Sequence, residues 1–176
     1  MEDNIKILAF EYLLTQLIEW GAEKKPAVPK SSFTRLKALK LLFFTAAVKN
    51  EEGGDLLDVF DNFYALPNGP VESDVYNSIT SDQLTYYTFK DFSLGTKRQF
   101  SDSGLCDDIK ARINLAIEVL KKKNGNLVSY RAEDLVALSH SWMSWQHSIL
   151  IAKVLGKGSY RMDINKIRTN NQIFSI

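Results

Sequence analysis

The chain has 176 residues, 45% of them hydrophobic, and its 22 basic and 21 acidic side chains give a net charge of +1. The apolar content is sufficient for one well-packed core, so we predict a single domain over residues 1–176. The balanced charge argues against a generally basic nucleic-acid-binding protein, and no apolar run approaches the ~18 residues that a membrane-spanning helix needs.

The pattern of apolar residues predicts a mainly helical protein. Residues 5–20 are apolar most of the way round a helix, as expected for a helix in the middle of a bundle. After a charged, proline-containing link, Ser31 or Ser32 can cap a second helix that runs to about residue 50. The Gly-rich residues 51–54 then end it. We therefore predict a compact multi-helix bundle.

The strongest turn signal in the chain lies at Gly69. Glycine can adopt a φ that other residues avoid, and Pro70 presets the φ of a first helical residue. Glu72 suits the positive end of a helix dipole. These residues predict a turn followed by a helix over residues 70–79.

Residues 84–100 favour strands rather than helices, because they are rich in Tyr, Phe and Thr. Residues 94–96 can form a turn, and residues 98–100 can form the returning strand. The sequence therefore predicts a small β-hairpin on a helical body.

Residues 105–123 form the clearest predicted helix. Its apolar residues recur with a 3.6-residue period, acidic residues lie in the first turn, three lysines lie in the last, and Gly125 follows. Shorter helices are predicted over residues 132–139 and 144–155. The apolar residues of segment 164–174 predict either a last helix or a docked tail.

The residue types that usually carry catalysis or metal binding form no recognisable site. His140 and His147 are seven residues apart, which is about 10 Å along one helix and too far to share an ion. Cys106 is the only cysteine, so no internal disulfide can form and we expect a reduced, cytoplasmic protein. The sequence also lacks a phosphate-binding loop and a dinucleotide-binding fingerprint. We therefore expect no enzyme activity, no catalytic residue, no metal and no cofactor.

Charge is unevenly distributed along the chain. Residues 50–89, which we call the acidic segment, contain no Lys or Arg. Their acidic residues are Glu51, Glu52, Asp55, Asp58, Asp61, Glu72, Asp74 and Asp82. One interpretation is an ordinary solvated face balanced by basic faces elsewhere. The other is an acidic surface around the turn at Gly69 that receives a basic partner. Its candidate contact residues are Asp58, Asp61, Asn68 and Glu72.

Three short motifs follow one another in the chain. They are the run Arg35-Leu-Lys-Ala-Leu-Lys-Leu-Leu-Phe-Phe44, the turn Asn68-Gly69-Pro70-Val71 with Val75-Tyr76 after it, and Leu138-Ser139-His140 with Trp145 five residues after the histidine. Their order and spacing over about residues 32–155 resemble those of the SocA-like, or Panacea, domain family. Lys37, Lys40 and Trp142 depart from the pattern that is usual in that family.

The resemblance implies a non-enzymatic antitoxin domain, associated with phages and other mobile genetic elements. Such a domain neutralises a co-encoded toxin by direct protein–protein contact. In the SocA type it works as an adaptor that presents the toxin to a protease. The expected partners are therefore a cognate toxin and, for an adaptor, a protease. We interpret Gly69, Pro70, Tyr76, His140 and Trp145 as structural residues of the family motif.

Two alternative functions remain open at this point. One is an enzyme or nucleotide-binding domain of a mobile element with a site near His140, which would require a solvent-reachable imidazole in a pocket. The other is autoregulatory DNA binding by the basic residues 153–168, although no recognition-helix pattern supports it. The sequence determines neither the oligomeric state nor the identity of the toxin.

Overall fold

The computed structural model describes residues 2–51 and 54–175, with side chains from residue 4 onwards. Within these ranges the chain forms seven α-helices and five short strands. The helices are α1 (Glu2–Glu23), α2 (Arg35–Ala47), α3 (Ser73–Thr80), α4 (Asp107–Lys123), α5 (Ala132–His140), α6 (Met143–Val154) and α7 (Ile164–Thr169). The strands are β1 (Phe63–Leu66), β2 (Gly69–Glu72), β3 (Tyr87–Lys90), β4 (Ser93–Thr96) and β5 (Tyr160–Arg161). The predicted mainly α fold with a small β-hairpin is confirmed.

Helices α1 and α2 form the centre of the molecule. In α1, Phe10, Leu13 and Leu17 are fully buried, and in α2 every residue from 37 to 47 is buried. Helix α4 packs on α1, and α5 packs on α2. A helix that is apolar on most sides can bury all of its apolar faces only inside a bundle, as predicted for residues 5–20.

Helix α2 begins later and ends earlier than predicted. Its N-cap is Thr34, whose Oγ1 accepts a hydrogen bond from the backbone N of Lys37 at 3.1 Å. The predicted caps Ser31 and Ser32 were wrong, because both lie in a short 3₁₀ turn before the helix. The helix ends at Ala47 rather than near residue 50. Glu52 and Gly53 of the predicted stop lie outside the described residues.

The turn at Gly69 leads into a strand, so the prediction of a helix from Pro70 was wrong. Strands β1 and β2 are antiparallel, with Leu66 opposite Gly69, and β5 pairs with the other edge of β1. Pro70 is tolerated because β2 is an edge strand, where a missing backbone N–H is least harmful. Helix α3 begins only at Ser73.

The hairpin of β3 and β4 turns at Asp91 and Phe92, which have φ angles of 49° and 63°. The turn predicted at residues 94–96 and the returning strand at 98–100 were wrong, because β4 occupies residues 93–96. Two consecutive positive φ angles fit a tight hairpin turn, but that turn usually carries Asn, Asp or Gly at both positions. Because Phe92 is none of these residues, the sequence did not indicate a turn at this position.

The C-terminal half agrees with the predicted helices to within two residues. Helix α4 begins at Asp107, with Cys106 as its N-cap, and ends at Lys123 as predicted. The end of the chain forms both predicted alternatives, since α7 is followed by a docked tail in which Phe174 is buried. None of the helices among the described residues combines the length and the apolarity needed to span a membrane.

Candidate functional site

Segments that are far apart in the sequence meet at the β1–β2 turn. Gly69 has a φ of +97°, and a Cβ atom at this position would collide with Ser139 Oγ of α5 and lie 3.0 Å from Lys40 Nζ of α2. Both the backbone angle and the available space therefore require glycine. We call this region the motif corner. It consists of Lys40, Gly69, Pro70, Ser139, His140 and Trp145.

Lys40 is the buried cation of the motif corner. Its side chain has no exposed surface, and Nζ donates a hydrogen bond to the Pro70 carbonyl at 2.7 Å. Burial lowers the pKa of Lys40 to about 7, because the charged form loses its water. One neutral carbonyl replaces only part of that hydration. The neutral form of the side chain is therefore more accessible than it is for an exposed lysine.

His140 is a packing residue of the motif corner. Its ring stacks on Trp145, with centroids 3.9 Å apart and an angle of 8° between the planes. Trp145 Nε1 in turn donates to the Leu66 carbonyl at 3.0 Å, which ties α6 to β1. Burial lowers the pKa of His140, opposed by the Pro67 carbonyl and aided by the charge of Lys40. Its Nε2 is buried and has no hydrogen-bond partner among the described residues, so this nitrogen is shielded from solvent.

Tyr76 and His147 lie elsewhere on the surface. Tyr76 is half-buried on α3, and the Arg35 guanidinium lies 5.6 Å from its ring centroid. His147 Nε2 lies 3.1 Å from Lys166 Nζ, so its ring is paired with α7 rather than with His140.

Three carboxylates of the acidic segment surround Lys6 of α1. Its Nζ lies 2.7 Å from Asp61, 3.0 Å from Glu72 and 2.6 Å from Asp74. Burial alone would lower the pKa of Lys6, but the hydrogen bonds to these carboxylates outweigh it and raise the pKa above its ordinary value. The three carboxylates are close enough together to hold a metal ion. Because the ammonium already lies among them, the arrangement is an internal ion-pair cluster.

The structure contradicts the predicted surface position of Glu72. This side chain is fully buried, and its Oε2 accepts a hydrogen bond from the backbone N of Val75 at 2.9 Å, which caps α3. Its Oε1 accepts from the backbone N of Asn62 at 3.1 Å. Burial raises the pKa of Glu72, and the bonds from Val75 and Lys6 act in the opposite direction. Glu72 holds the fold together and is not available to a partner at the surface.

Two further carboxylates of the acidic segment are paired with distant cations. Asp58 accepts two hydrogen bonds from Arg112 of α4, which lower the pKa of Asp58. Asp55 accepts two from Arg168 of α7, at 2.7 and 3.1 Å. The basic residues that the acidic segment lacks are thus supplied by α1, α4 and α7.

The other three predicted contact residues are at the surface, but they do not form one site. The side chains of Asp58 and Asp61 are 59% and 54% exposed and line the same depression of about 620 Å³. Asn68 is also exposed, but it follows β1 whereas Asp61 precedes it. The strand therefore separates Asn68 from the two carboxylates.

Helix α6 presents an apolar surface that the sequence predictions did not include. We call it the α6 face. It consists of Met143, Leu150, Val154 and Leu155, which are 68%, 60%, 78% and 53% exposed. The first three are seven and four residues apart, so they lie on one side of the helix. That spacing is present in the sequence, but residues 144–155 were predicted only as a short helix, with no exposed face assigned to it.

The comparison with protein-family models matches residues 39–146 to the antitoxin SocA-like, Panacea domain. This is more than half of the chain, and it contains every residue of the motif corner. The comparisons with curated proteins and with solved structures found no match.

Proposed function

Because the chain belongs to the SocA-like antitoxin, Panacea domain family, we propose that it neutralises a co-encoded toxin by direct protein–protein contact. The observation that carries this proposal is the match over the motif corner. The residues of that corner are engaged with one another, as in the Lys40–Pro70 hydrogen bond and the His140–Trp145 stack. Their engagement leaves partner recognition to the exposed surface. On this proposal the domain acts in the cytoplasm without a catalytic residue or cofactor.

The α6 face supports a toxin contact through apolar burial. Stable protein interfaces have an apolar centre and a polar rim, and large exposed apolar side chains often mark them. The exposed Lys153 and Lys157 flank the α6 face. The toxin surface that covers it would therefore be apolar with an acidic rim. We assign most of the affinity to this contact.

The exposed carboxylates Asp58 and Asp61 provide a second proposed contact. Both already pair with basic side chains of this chain, Arg112 and Lys6. A basic toxin would have to exchange these partners, which offsets most of the gain in affinity. We therefore propose that these carboxylates contribute to the association rate more than to affinity, and that Asn68 is a separate contact nearer the turn.

The test uses the gene adjacent to this one. We expect its product to be toxic when expressed alone and harmless when co-expressed with this chain. Toxin levels in the rescued cells separate two forms of the proposal. A stable toxin indicates sequestration, and a toxin that disappears only when a protease is present indicates an adaptor. An adjacent product that is not toxic, or whose toxicity this chain does not relieve, contradicts the proposed function.

Variants of the same assay locate the contact. Replacing Leu150 and Val154 by Glu should abolish rescue and weaken toxin binding by about 100-fold, because it places two charges in an apolar interface. Phe92→Glu is the matched control, since Phe92 is 90% exposed on the hairpin, far along the chain from α6. Asp58→Asn with Asp61→Asn should reduce the salt dependence of the association rate with little loss of rescue. Full rescue by the α6 variant would exclude the α6 face as the contact.

The alternative of a catalytic site near His140 is not favoured by this geometry. That function requires a nitrogen that exchanges protons with solvent or substrate. His140 Nε2 is buried, and Trp145 covers one face of the ring.

A further inference from the structure

A cavity of about 590 Å³, open to solvent, lies between the link that joins α1 to α2 and the start of α5. Its wall carries an excess of positive charge. Among the described lining residues four are basic, namely Lys24, Lys25, Lys37 and Arg131, and one is acidic, Glu133. A volume of this size is typical of sites for small molecules.

Lys37 is the residue that indicates a ligand. Its side chain is only 3% exposed, and it lines the cavity. Among the described residues its Nζ has no hydrogen-bond acceptor and no carboxylate partner, and its contact is with the ring of Phe33, 4.9 Å from the centroid. Burial lowers the pKa of Lys37 to about 8. The Lys37 ammonium is not fully enclosed, but it has no counter-charge among the described residues, so an anion in the cavity would supply one.

Two helices begin at the same cavity. Thr34, the N-cap of α2, and Ala132, the first residue of α5, both line it. The first turn of a helix carries backbone N–H groups without intrahelical acceptors and the positive end of the helix dipole. In α2 the backbone N of Lys37 already donates to Thr34 Oγ1, so the dipoles and the remaining N–H groups of the two ends favour an anion with several acceptor oxygens.

Lys24 lines the same wall, and its ammonium has hydrogen-bond acceptors within the protein. Its Nζ donates to the Gly125 carbonyl at 2.9 Å and to Asn126 Oδ1 at 3.1 Å. These bonds hold the link against the residues before α5. Among the described residues Lys37 has no equivalent acceptors, so its charge remains available to a ligand.

From these observations we propose that the cavity binds a small phosphate monoester, with the phosphate at Lys37 and the two helix N-termini. Pro26, Val28 and Pro29 give the rest of the wall an apolar character, and Tyr130 adds an aromatic ring. The body of the ligand is therefore a flat or apolar group, as in a nucleoside monophosphate. This site is separate from the α6 face, and the proposal does not depend on toxin neutralisation.

The test is calorimetric titration of the full chain with inorganic phosphate, adenosine monophosphate and adenosine at low salt. We expect adenosine monophosphate to bind more tightly than phosphate, and adenosine to bind far more weakly than either. Lys37→Met should weaken binding of the two phosphates by about ten-fold or more, since it removes a charge-assisted contact. Lys122→Met on the exposed end of α4 is the matched control and should bind as the wild type does.

Proton uptake gives a second readout that a purely structural role of Lys37 would not produce. An anion beside Lys37 favours its charged form, so binding near pH 8 should take up about half a proton, measured in buffers of different ionisation enthalpy. The Lys37→Met variant should take up none. It should also be at least as stable as the wild type without ligand, because the unpaired buried charge is gone.

Arg131→Gln provides an independent variant, because the Arg131 side chain is 78% exposed and pairs with Asp134 in the first turn of α5, so its replacement leaves the core intact. It should weaken binding of adenosine monophosphate by a few-fold. Three results would overturn the proposal. They are no binding of either phosphate at about 10 mM, equal binding by the wild type and Lys37→Met, or binding of adenosine as tight as that of its monophosphate.

Discussion

The identity of residue 69 is determined by the side chains that pack against it. Lys40 must place its ammonium against the Pro70 carbonyl, and Ser139 must pack beside it, so the backbone at residue 69 has room for no side chain. The strand also begins there with a φ of +97°, which L residues avoid. The β1–β2 turn, Lys40 of α2 and Ser139 of α5 are thus in close contact at Gly69.

We predict that Gly69→Ala lowers the free energy of unfolding by about 3 kcal/mol or more, through strain at positive φ and overlap with Ser139 and Lys40. Gly156→Ala is the control. Its φ is +63°, but no atom lies within 4 Å of the added Cβ, so only the strain of about 1 kcal/mol should appear. Urea unfolding of both variants measures the difference. Equal losses would show that the close packing at residue 69 contributes nothing.

Helix α3 illustrates how an element depends on residues outside it. Its N-cap is the side chain of Glu72 at the end of β2, and the same carboxylate receives the ammonium of Lys6 from α1. A strand end, a helix start and the central helix thus share one buried group. The neighbouring Asp61 and Asp74 are more exposed and complete the hydrogen bonds of Lys6.

A double-mutant cycle tests this coupling. Glu72→Ala should destabilise the protein by about 3 kcal/mol, because it leaves the start of α3 uncapped and the backbone N of Asn62 without an acceptor. Lys6→Met should also be destabilising, since it leaves a buried carboxylate without its cation. The double variant should lose less than the sum. Asp102→Ala, which breaks an exposed pair with Lys110, should change stability by less than about 1 kcal/mol. Additive losses would contradict a shared cluster.

At the scale of the whole molecule, the C-terminal tail closes the core. Phe174 packs on Phe44 of α2 and on Trp142, with centroids 6.2 and 5.7 Å apart. The Trp142 indole Nε1 donates to the carbonyl of Ile173 at 2.9 Å. Asn124 Nδ2 donates to the Phe174 carbonyl at 2.7 Å, so α4 is joined to the same tail. The last residues therefore connect three helical segments that are distant in sequence.

We predict that Phe174→Ala reduces the free energy of unfolding by about 3 kcal/mol, because a buried aromatic ring is lost and a cavity remains. Tryptophan fluorescence of the native state should change as well, since Trp142 loses an aromatic neighbour. Phe92→Ala removes a ring that is 90% exposed and should leave both measurements nearly unchanged. A stability of Phe174→Ala close to that of the wild type would show that the tail is not part of the core.

Local signals predicted the helices well and the short strands poorly. Helix α4 was recognised because seventeen residues give several repeats of its apolar period and both ends carry the expected charges. Strands β1, β2 and β5 have four residues or fewer, which is too short for an alternating pattern to be distinguished. Pro70 was assigned to a helix because proline suits a first helical turn and an edge strand equally well.

The candidate surfaces were predicted only in part. Asp58 and Asp61 are exposed as expected, whereas Glu72 is buried because Lys6, far away in the sequence, makes its burial tolerable. The same difficulty applies to Lys37, since the sequence around a lysine does not show which acceptors the fold places near it. The exposure and ion pairing of a charged side chain depend on which groups from distant segments the fold places beside it.

The sequence alone determined the helical content, the order of the motifs and, through them, the family. These depend on periodicity and spacing, which act over a few residues at a time. Only the tertiary structure decided which charges are paired, which lysines are buried and which apolar residues face water. Desolvation and ion pairing depend on distances between groups that are far apart in the chain, and folding alone sets those distances.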